Sequence, residues 1–270
     1  MDTVKENIPL LKVENFSVSF KMYDKNLHQY ILPVVTNLNI EIYSGEILAI
    51  AGSSGSGKSI LAHGIFGILP SNAICKGKIY YKGQEMTAKL QEEIRGREIS
   101  LMPQSVTYLD PLMKIGKQIF KNEIDKDLIS KQREVFERFG LKRDVEKMYP
   151  YQLSGGMARR VLASIAVLSE SQLIIADEPT PGLGEEVSME ILKTFRDFTG
   201  ENKGVIFITH DIDLALKVAD RIAVFYEGTT VENALVSDFS GDGSKLCHSF
   251  SRALYRALPQ NGFHCIDETL

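Results

Sequence analysis

The sequence predicts an α/β protein with a mainly parallel sheet, an antiparallel β subdomain and an α-helical subdomain. Residues 173–176 and 205–208 are short, continuously apolar runs typical of buried strands, and residues 186–198 between them have helical character. A strand, a helix and a second strand in succession indicate a parallel sheet. Alternating apolar and polar side chains over residues 11–50 predict antiparallel strands, whereas the apolar spacing within residues 92–148 predicts helices.

The composition excludes several classes of protein. A chain of 270 residues is long enough to bury a full core without disulfides or metal. It has 31 Lys and Arg residues and 35 Asp and Glu residues, so its net charge is -4, which disfavours nucleic acid as a partner. The most apolar stretch, residues 161–176, is interrupted by polar side chains and predicts no membrane span, and residues 1–7 predict no secretory signal. The spacing of Cys75, Cys247 and Cys265 predicts reduced thiols rather than a disulfide framework or a zinc site.

A glycine-rich loop carries the strongest functional signal. Residues 52–59 match GxxxxGK[ST] in full, directly after the apolar run 47–51. In such a loop the backbone N–H groups converge on phosphate oxygens, Lys58 supplies a charge, and the Ser59 hydroxyl can ligate Mg²⁺. The alternative is a turn with an incidental lysine. The nucleotide-binding residues are expected to be Gly52, Ser53, Ser54, Gly55, Ser56, Gly57, Lys58, Ser59 and Ile60.

Two adjacent carboxylates follow the apolar run 173–176, where open α/β sheets place their ligand crevice. Asp177 is expected to hold Mg²⁺, through water, and Glu178 to act as the general base that activates the attacking water. The alternative is a plain acidic strand end. A loop and an acidic pair of this kind predict a site for a nucleoside triphosphate.

Further motifs resemble those of the ATP-binding cassette (ABC) ATPases. Residues 153–157 resemble the LSGGQ signature, Gln104 resembles the Q-loop glutamine, and His210 resembles the switch histidine. Together with the phosphate loop and the acidic pair, the motifs occur in the family order over residues 13–227. The resemblance implies an ABC-type P-loop core that binds and hydrolyses ATP.

The resemblance also implies domain limits. We expect an ATPase domain over residues 11–235, a helical subdomain over about 92–165 and a C-terminal tail over 236–270. The charged residues of the helical subdomain are expected to form a solvated face beside a groove for a membrane subunit.

The same resemblance implies roles for individual residues. Gln104 would ligate Mg²⁺ and sense the transport partner, and His210 would contact the γ-phosphate; the alternative for each is an ordinary polar residue. Tyr30 would stack on adenine, with Tyr23 as the competing candidate and simple packing as the alternative. In the family two ATPase subunits associate head to tail, so one subunit's signature binds ATP held by the other. The signature residues concerned are Ser154, Gly155 and Gly156.

Two stretches indicate a branch of the family. Residues 104–116 resemble the QDPxxSLNPxxxxG segment, and residues 248–259 the HPYTxALLxAxP segment, of the oligopeptide, dipeptide and nickel importer ATPases. The resemblance implies the ATPase subunit of a prokaryotic importer of peptides or nickel/metal chelates, at the cytoplasmic face of the membrane. Its partners would be two integral-membrane permease subunits and an extracytoplasmic substrate-binding protein. The alternatives are a soluble ABC ATPase of DNA repair or translation, and a regulatory subunit that binds ATP without hydrolysing it.

Three features depart from the family pattern. Met157 replaces the usual signature glutamine, a change common in this branch. Gly184 stands where the family usually has an aspartate that contacts the opposite subunit, so we expect a heterodimer with a second, similar ATPase that supplies this carboxylate. The tail offers Cys247 and Cys265, too few thiols for the four ligands of an iron–sulfur cluster.

Overall fold

The structure is a computed structural model that describes residues 8–120, 126–200 and 202–261. Within these ranges the chain forms two sheets and eight α-helices. The strands are β1 (Leu11–Tyr23), β2 (Gln29–Ile42), β3 (Ile47–Gly52), β4 (Ala73–Tyr81), β5 (Gln84–Glu85), β6 (Ile99–Met102), β7 (Leu173–Asp177), β8 (Gly204–Thr209), β9 (Arg221–Tyr226) and β10 (Thr229–Leu235). The helices are α1 (Lys58–Phe66), α2 (Ala88–Ile94), α3 (Ile115–Phe120), α4 (Lys126–Arg138), α5 (Gly155–Leu168), α6 (Glu185–Thr199), α7 (Ile212–Val218) and α8 (Ser249–Arg256).

The larger sheet has six strands in the order β10-β9-β3-β8-β7-β6. All neighbouring pairs are parallel except β10 with β9, which are antiparallel. The smaller sheet has the order β2-β1-β4-β5 and is antiparallel throughout. The predicted α/β class, with a mainly parallel sheet beside an antiparallel one, is confirmed.

Both faces of the parallel sheet are covered. Successive side chains of a strand point to opposite faces. On β3, Ala49 and Ala51 therefore join a core with helices α3 to α7, whereas Leu48 and Ile50 join a core with α1 and the antiparallel sheet. Because β3, β7 and β8 are buried on both sides, their sequences contain continuous apolar runs. Because β3, β6, β7, β8 and β9 run parallel, their carboxyl ends lie at one edge of the sheet.

The segment predicted to be helical from residue 92 contains a strand. Helices α3, α4 and α5 form, and Phe136 and Phe139 are buried among them. Residues 99–102, however, are β6, which pairs with β7 in parallel with Met102 opposite Ala176. Four residues are too few to show a period, and their burial comes from pairing with a distant segment. Of the predicted charged face, which extends from Lys114 to Glu134, residues 121–125 lie outside the described residues.

The end of the described chain packs against the parallel sheet. Helix α8 places Phe250 on Tyr226, with the ring centroids 4.1 Å apart, and Tyr255 meets Phe239 edge to face at 6.0 Å. Cys75 and Cys247 are free and exposed, and Cys265 lies outside the described residues. In the described part of the chain, no helix is long and apolar enough to cross a membrane.

Candidate nucleotide site

The glycine-rich loop joins β3 to the nine-residue helix α1. The helix is capped by Gly57, whose φ is +94° and whose Cβ, if present, would lie 2.4 Å from Val35 Cγ2. A Cβ at Gly52 would lie 2.1 Å from the carbonyl oxygen of Phe225. Glycine is therefore required at both positions. No side chain caps α1, so its first N–H groups and the positive end of its dipole face the loop, as an anion site needs.

Lys58, at the end of the loop, donates hydrogen bonds to the start of the same loop. Its Nζ donates to the carbonyl oxygens of Gly52 at 2.9 Å and Ser53 at 2.8 Å. Burial lowers the pKa of Lys58, and the charges of Glu178 and Asp177 oppose this shift. When a nucleotide is bound, its phosphate oxygens would accept the hydrogen bonds that the ammonium group here donates to these two carbonyls. Within the same loop, Ser56 is buried and its hydroxyl has no hydrogen-bond partner.

Asp177 is the last residue of β7 and is buried. Burial raises the pKa of its carboxyl, whereas a hydrogen bond with Ser59 is the main influence that lowers it. Its Oδ1 has no hydrogen-bond partner. A buried carboxylate oxygen without a partner beside a serine hydroxyl is the donor set that Mg²⁺ prefers, so these residues fit the predicted ion.

Glu178 follows β7 in an unusual conformation. Its φ is +50°, a left-handed value that costs a non-glycine residue about 1–2 kcal/mol. Its N–H donates to Ile208 O at 3.0 Å. Both carboxylate oxygens lie 2.9 Å from Nδ1 of His210. The Glu178 side chain is 9% exposed and that of His210 60%, so the pair runs from the interior to the surface. Such strain concentrates at functional sites.

A cleft of about 290 Å³ joins these parts. It is lined by the loop and by residues from three other segments. Its lining residues are Val34, Ser54, Gly55, Gly57, Lys58, Ser59, Ile60, Gln104 and Glu178. The structure therefore brings the loop, the candidate Mg²⁺ ligand Gln104 and the candidate base Glu178 to one space.

The remaining predicted residues lie elsewhere. Tyr30 is on β2 opposite Met22, is 45% exposed and does not line the cleft, although Val34 of the same strand does. Ser154 caps α5, with its hydroxyl accepting from Met157 N at 3.2 Å. Ser154, Gly155 and Gly156 do not line the cleft either. The roles predicted for Tyr30 and for the signature residues stay predictions.

Two residues near the site were missed by the sequence reasoning. Val34 lines the cleft but sits in an ordinary apolar strand, which offers no signal. Arg159 donates from Nη1 to Glu178 O and from Nη2 to Gln104 O, the latter at 3.1 Å. Its signal is in the sequence, because Arg159 and Arg160 are the charged residues of a helix that is otherwise apolar or small.

A phosphate loop between a strand and a helix, facing an acidic pair at the end of a parallel strand, defines a P-loop nucleoside triphosphatase. The chain matches the family model described as ABC transporter over residues 35–181. It is 34% identical over 265 residues to the oligopeptide transport ATP-binding protein OppD of Bacillus subtilis, covering 93% of this chain and 72% of that protein. It is 32% identical over 266 residues to the dipeptide transport ATP-binding protein DppD of Bacillus subtilis, covering 93% and 77%.

A solved structure agrees with these relatives. An ATP-binding cassette in a dimeric, post-hydrolysis state bound to ADP and Pi has a TM-score of 0.72 and 26% identity, covering 84% of this chain and 98% of that chain. This chain therefore belongs to the ABC transporter family. It is an ATPase that hydrolyses ATP to drive transport, as the sequence predicted.

Proposed function

We propose that this chain is the ATPase subunit of a peptide importer and that Glu178 is its general base. The observation that carries the catalytic part is the cleft that the phosphate loop lines together with Gln104 and Glu178, whose carboxylate His210 contacts. The peptide part is supported by the names of the relatives, which transport oligopeptides or dipeptides. These names favour peptides over the nickel/metal chelates that the sequence left open.

In the proposed reaction the γ-phosphate lies between Lys58 and Glu178. A water oxygen attacks the γ-phosphorus, the bond from that phosphorus to the β–γ bridging oxygen breaks, and the Glu178 carboxylate takes the proton from the water. His210 holds both carboxylate oxygens at 2.9 Å and so directs the carboxylate towards the cleft. Ser59, Asp177 and Gln104 would hold Mg²⁺, which when bound neutralises the charge developing on the phosphates.

The proposed dimer follows from Gly184. This residue precedes α6 with an ordinary φ of -67°, and a Cβ there would meet no atom within 4 Å. Nothing in the fold therefore requires glycine, and a longer side chain would fit. We infer that the carboxylate usual at this position comes from a second, similar ABC ATPase subunit. The signature residues Ser154, Gly155 and Gly156 of this chain would complete the ATP site of that partner.

The proposed membrane contact uses the helical part of the chain. Three large side chains of this part are exposed. They are Tyr108 and Leu112, which follow Gln104, and Tyr151, which precedes the signature; Leu112 is 88% exposed. Apolar side chains exposed on one part of a surface mark a site for a protein partner. The chain would bind two permease subunits here from the cytoplasmic face, as a peripheral subunit, and meet the substrate-binding protein only through the assembled complex.

Purification of the tagged chain from its native membranes tests the assembly. The expected result is copurification with a second ABC ATPase and two integral-membrane proteins, and ATPase activity that rises with short peptides and a binding protein. Addition of a nickel chelate in place of peptide is the comparison that decides the cargo. Recovery of the chain with ribosomes or DNA, and no membrane protein, would contradict the proposal.

The Gly184→Asp variant tests the dimer. Restoring the carboxylate is expected to increase ATP-dependent self-association of the isolated chain, measured by sedimentation in the Glu178→Gln background to prevent hydrolysis. Gly184→Ala is the matched control, since it adds a side chain without charge. Full cooperative ATPase activity of the unmodified chain alone would refute the heterodimer.

A further inference from the structure

Arg159 connects three parts of the molecule that carry different motifs. It lies on α5, two residues beyond the signature, and is half-buried. Its guanidinium donates to the backbone carbonyl of Glu178, after β7, and to that of Gln104, after β6. One side chain therefore fastens the candidate base, the candidate Mg²⁺ ligand and the signature helix to each other.

The register of the sheet explains how one side chain reaches both carbonyls. Strands β6 and β7 are parallel neighbours with Met102 opposite Ala176. Gln104 and Glu178 each lie two residues beyond this pair, at matched positions just after strands that are about 4.8 Å apart. A planar guanidinium presents several donors in a fixed fork and can span such a gap, whereas a lysine ammonium is a single point charge.

The backbone of Glu178 needs support at this point. Its left-handed φ of +50° is unfavourable for glutamate, and its N–H is already held by Ile208 O on the neighbouring β8. The bond from Arg159 holds the other side of the same residue, at its carbonyl. With both backbone groups held, the point from which the side chain starts is fixed, and its carboxylate lies 2.9 Å from His210 Nδ1 at the lining of the cleft.

We propose that Arg159 is a positioning residue for hydrolysis, which holds the carboxylate of Glu178 in the cleft only while the signature helix and the Gln104 loop are in their observed places. A movement of the Gln104 loop or of α5 is thereby transmitted to Glu178 without any contact between Arg159 and ATP. The inference rests on the proposed role of Glu178 as the base.

Kinetics of Arg159→Gln in the purified complex test the inference. We expect kcat to fall about 10- to 100-fold, the size of effect that misplacing a catalytic group by about 1 Å produces, with KM for ATP unchanged within about threefold. Arg159→Lys keeps the positive charge and the aliphatic part of the side chain but loses the fork of donors, so it is the variant to use if Arg159→Gln does not fold. It is expected to restore less than half of the activity that Arg159→Gln loses.

A double-mutant cycle separates positioning from a structural role. If Arg159 acts through Glu178, adding Arg159→Gln to Glu178→Gln lowers the residual rate by less than about twofold, because the base is already gone. Losses that multiply, or a rise in KM that accounts for the whole effect, would overturn the inference. A normal rate in Glu178→Gln itself would instead overturn the assignment of the base, so the two failures are distinguishable.

Amide hydrogen exchange on the full chain gives a second measurement. Arg159→Gln is expected to raise exchange around Gln104 and around Glu178 together. Arg160→Gln is the matched control, because Arg160 is its neighbour on α5 but donates to Phe139 O, Gly140 O and Gly156 O instead. It is expected to raise exchange near residue 140 and not at the other two segments. Unchanged exchange in Arg159→Gln, or equal patterns in both variants, would refute the proposal.

Discussion

Replacement of Glu178 by glutamine removes the negative charge of the candidate base and preserves its shape. Glu178 is buried and its carboxylate is held by His210, so bulk water has little access to take its place as proton acceptor. The full effect of a general base is therefore expected, a loss of about 10²- to 10⁴-fold in kcat, or about 3–5 kcal/mol in the activation free energy. Affinity for ATP is expected to stay equal or to increase, because a buried negative charge is removed from a cleft that receives phosphates.

Phosphate release at saturating Mg²⁺ and ATP measures kcat, and titration calorimetry measures the affinity. Glu186→Gln is the matched control, since Glu186 is an exposed residue in the first turn of α6, and it should retain the wild-type rate. Turnover of Glu178→Gln within a few-fold of the wild type would refute the assignment of Glu178 as the base.

Three more predictions concern binding and stability. Lys58→Met removes the ammonium group of the phosphate loop and should weaken ATP binding at least tenfold, measured by calorimetry. This follows from the loss of a charge-assisted hydrogen bond of about 1.5–3 kcal/mol. Lys89 is exposed, so Lys89→Met is the control and should leave ATP affinity unchanged. Because burial raises the pKa of Asp177, its ionisation opposes folding, so Asp177→Asn should raise Tm at pH 7. This advantage should shrink as the pH falls from the raised pKa towards the ordinary carboxyl pKa of 3.8 and should be absent below it; a lower Tm at pH 7 would contradict this. The same variant should abolish the Mg²⁺ dependence of ATP binding. Phe250→Ala removes the ring stacked on Tyr226 and should lower the free energy of unfolding by about 1–3 kcal/mol in urea titrations, with ATP affinity unchanged.

The sequence alone predicted the elements whose signals are local. Buried strands such as β3 and β7 are recognisable because both faces of the sheet are covered there, so residues 47–51 and 173–176 are continuously apolar. The phosphate loop, Asp177 and Glu178 stand at the carboxyl ends of these strands, where open α/β sheets place their ligand crevice. The structure accordingly brings Lys58, Gln104 and Glu178 to the same cleft.

The elements that escaped prediction depend on partners far along the chain. Strand β6 is four residues long and becomes a strand because β7, about seventy positions later, pairs with it. The bonds of Arg159 depend on the same pairing, which brings Gln104 and Glu178 to matched positions. Contacts that require the register of two distant strands leave no pattern in a local window.

Strand β6 lies at the edge of the parallel sheet, and this position bears on the role proposed for Arg159. Gln104 continues from this edge strand into a loop that bears the exposed Tyr108 and Leu112, whereas Glu178 continues from its inner neighbour β7. An edge strand has a neighbour on one side only, so its loop can shift while the inner strand stays in place. Because Arg159 binds the backbones that follow both strands, such a shift would alter the support of the Glu178 carbonyl. On the proposed role of Arg159, the pairing of β6 with β7 would therefore provide a route by which a partner at the surface regulates hydrolysis.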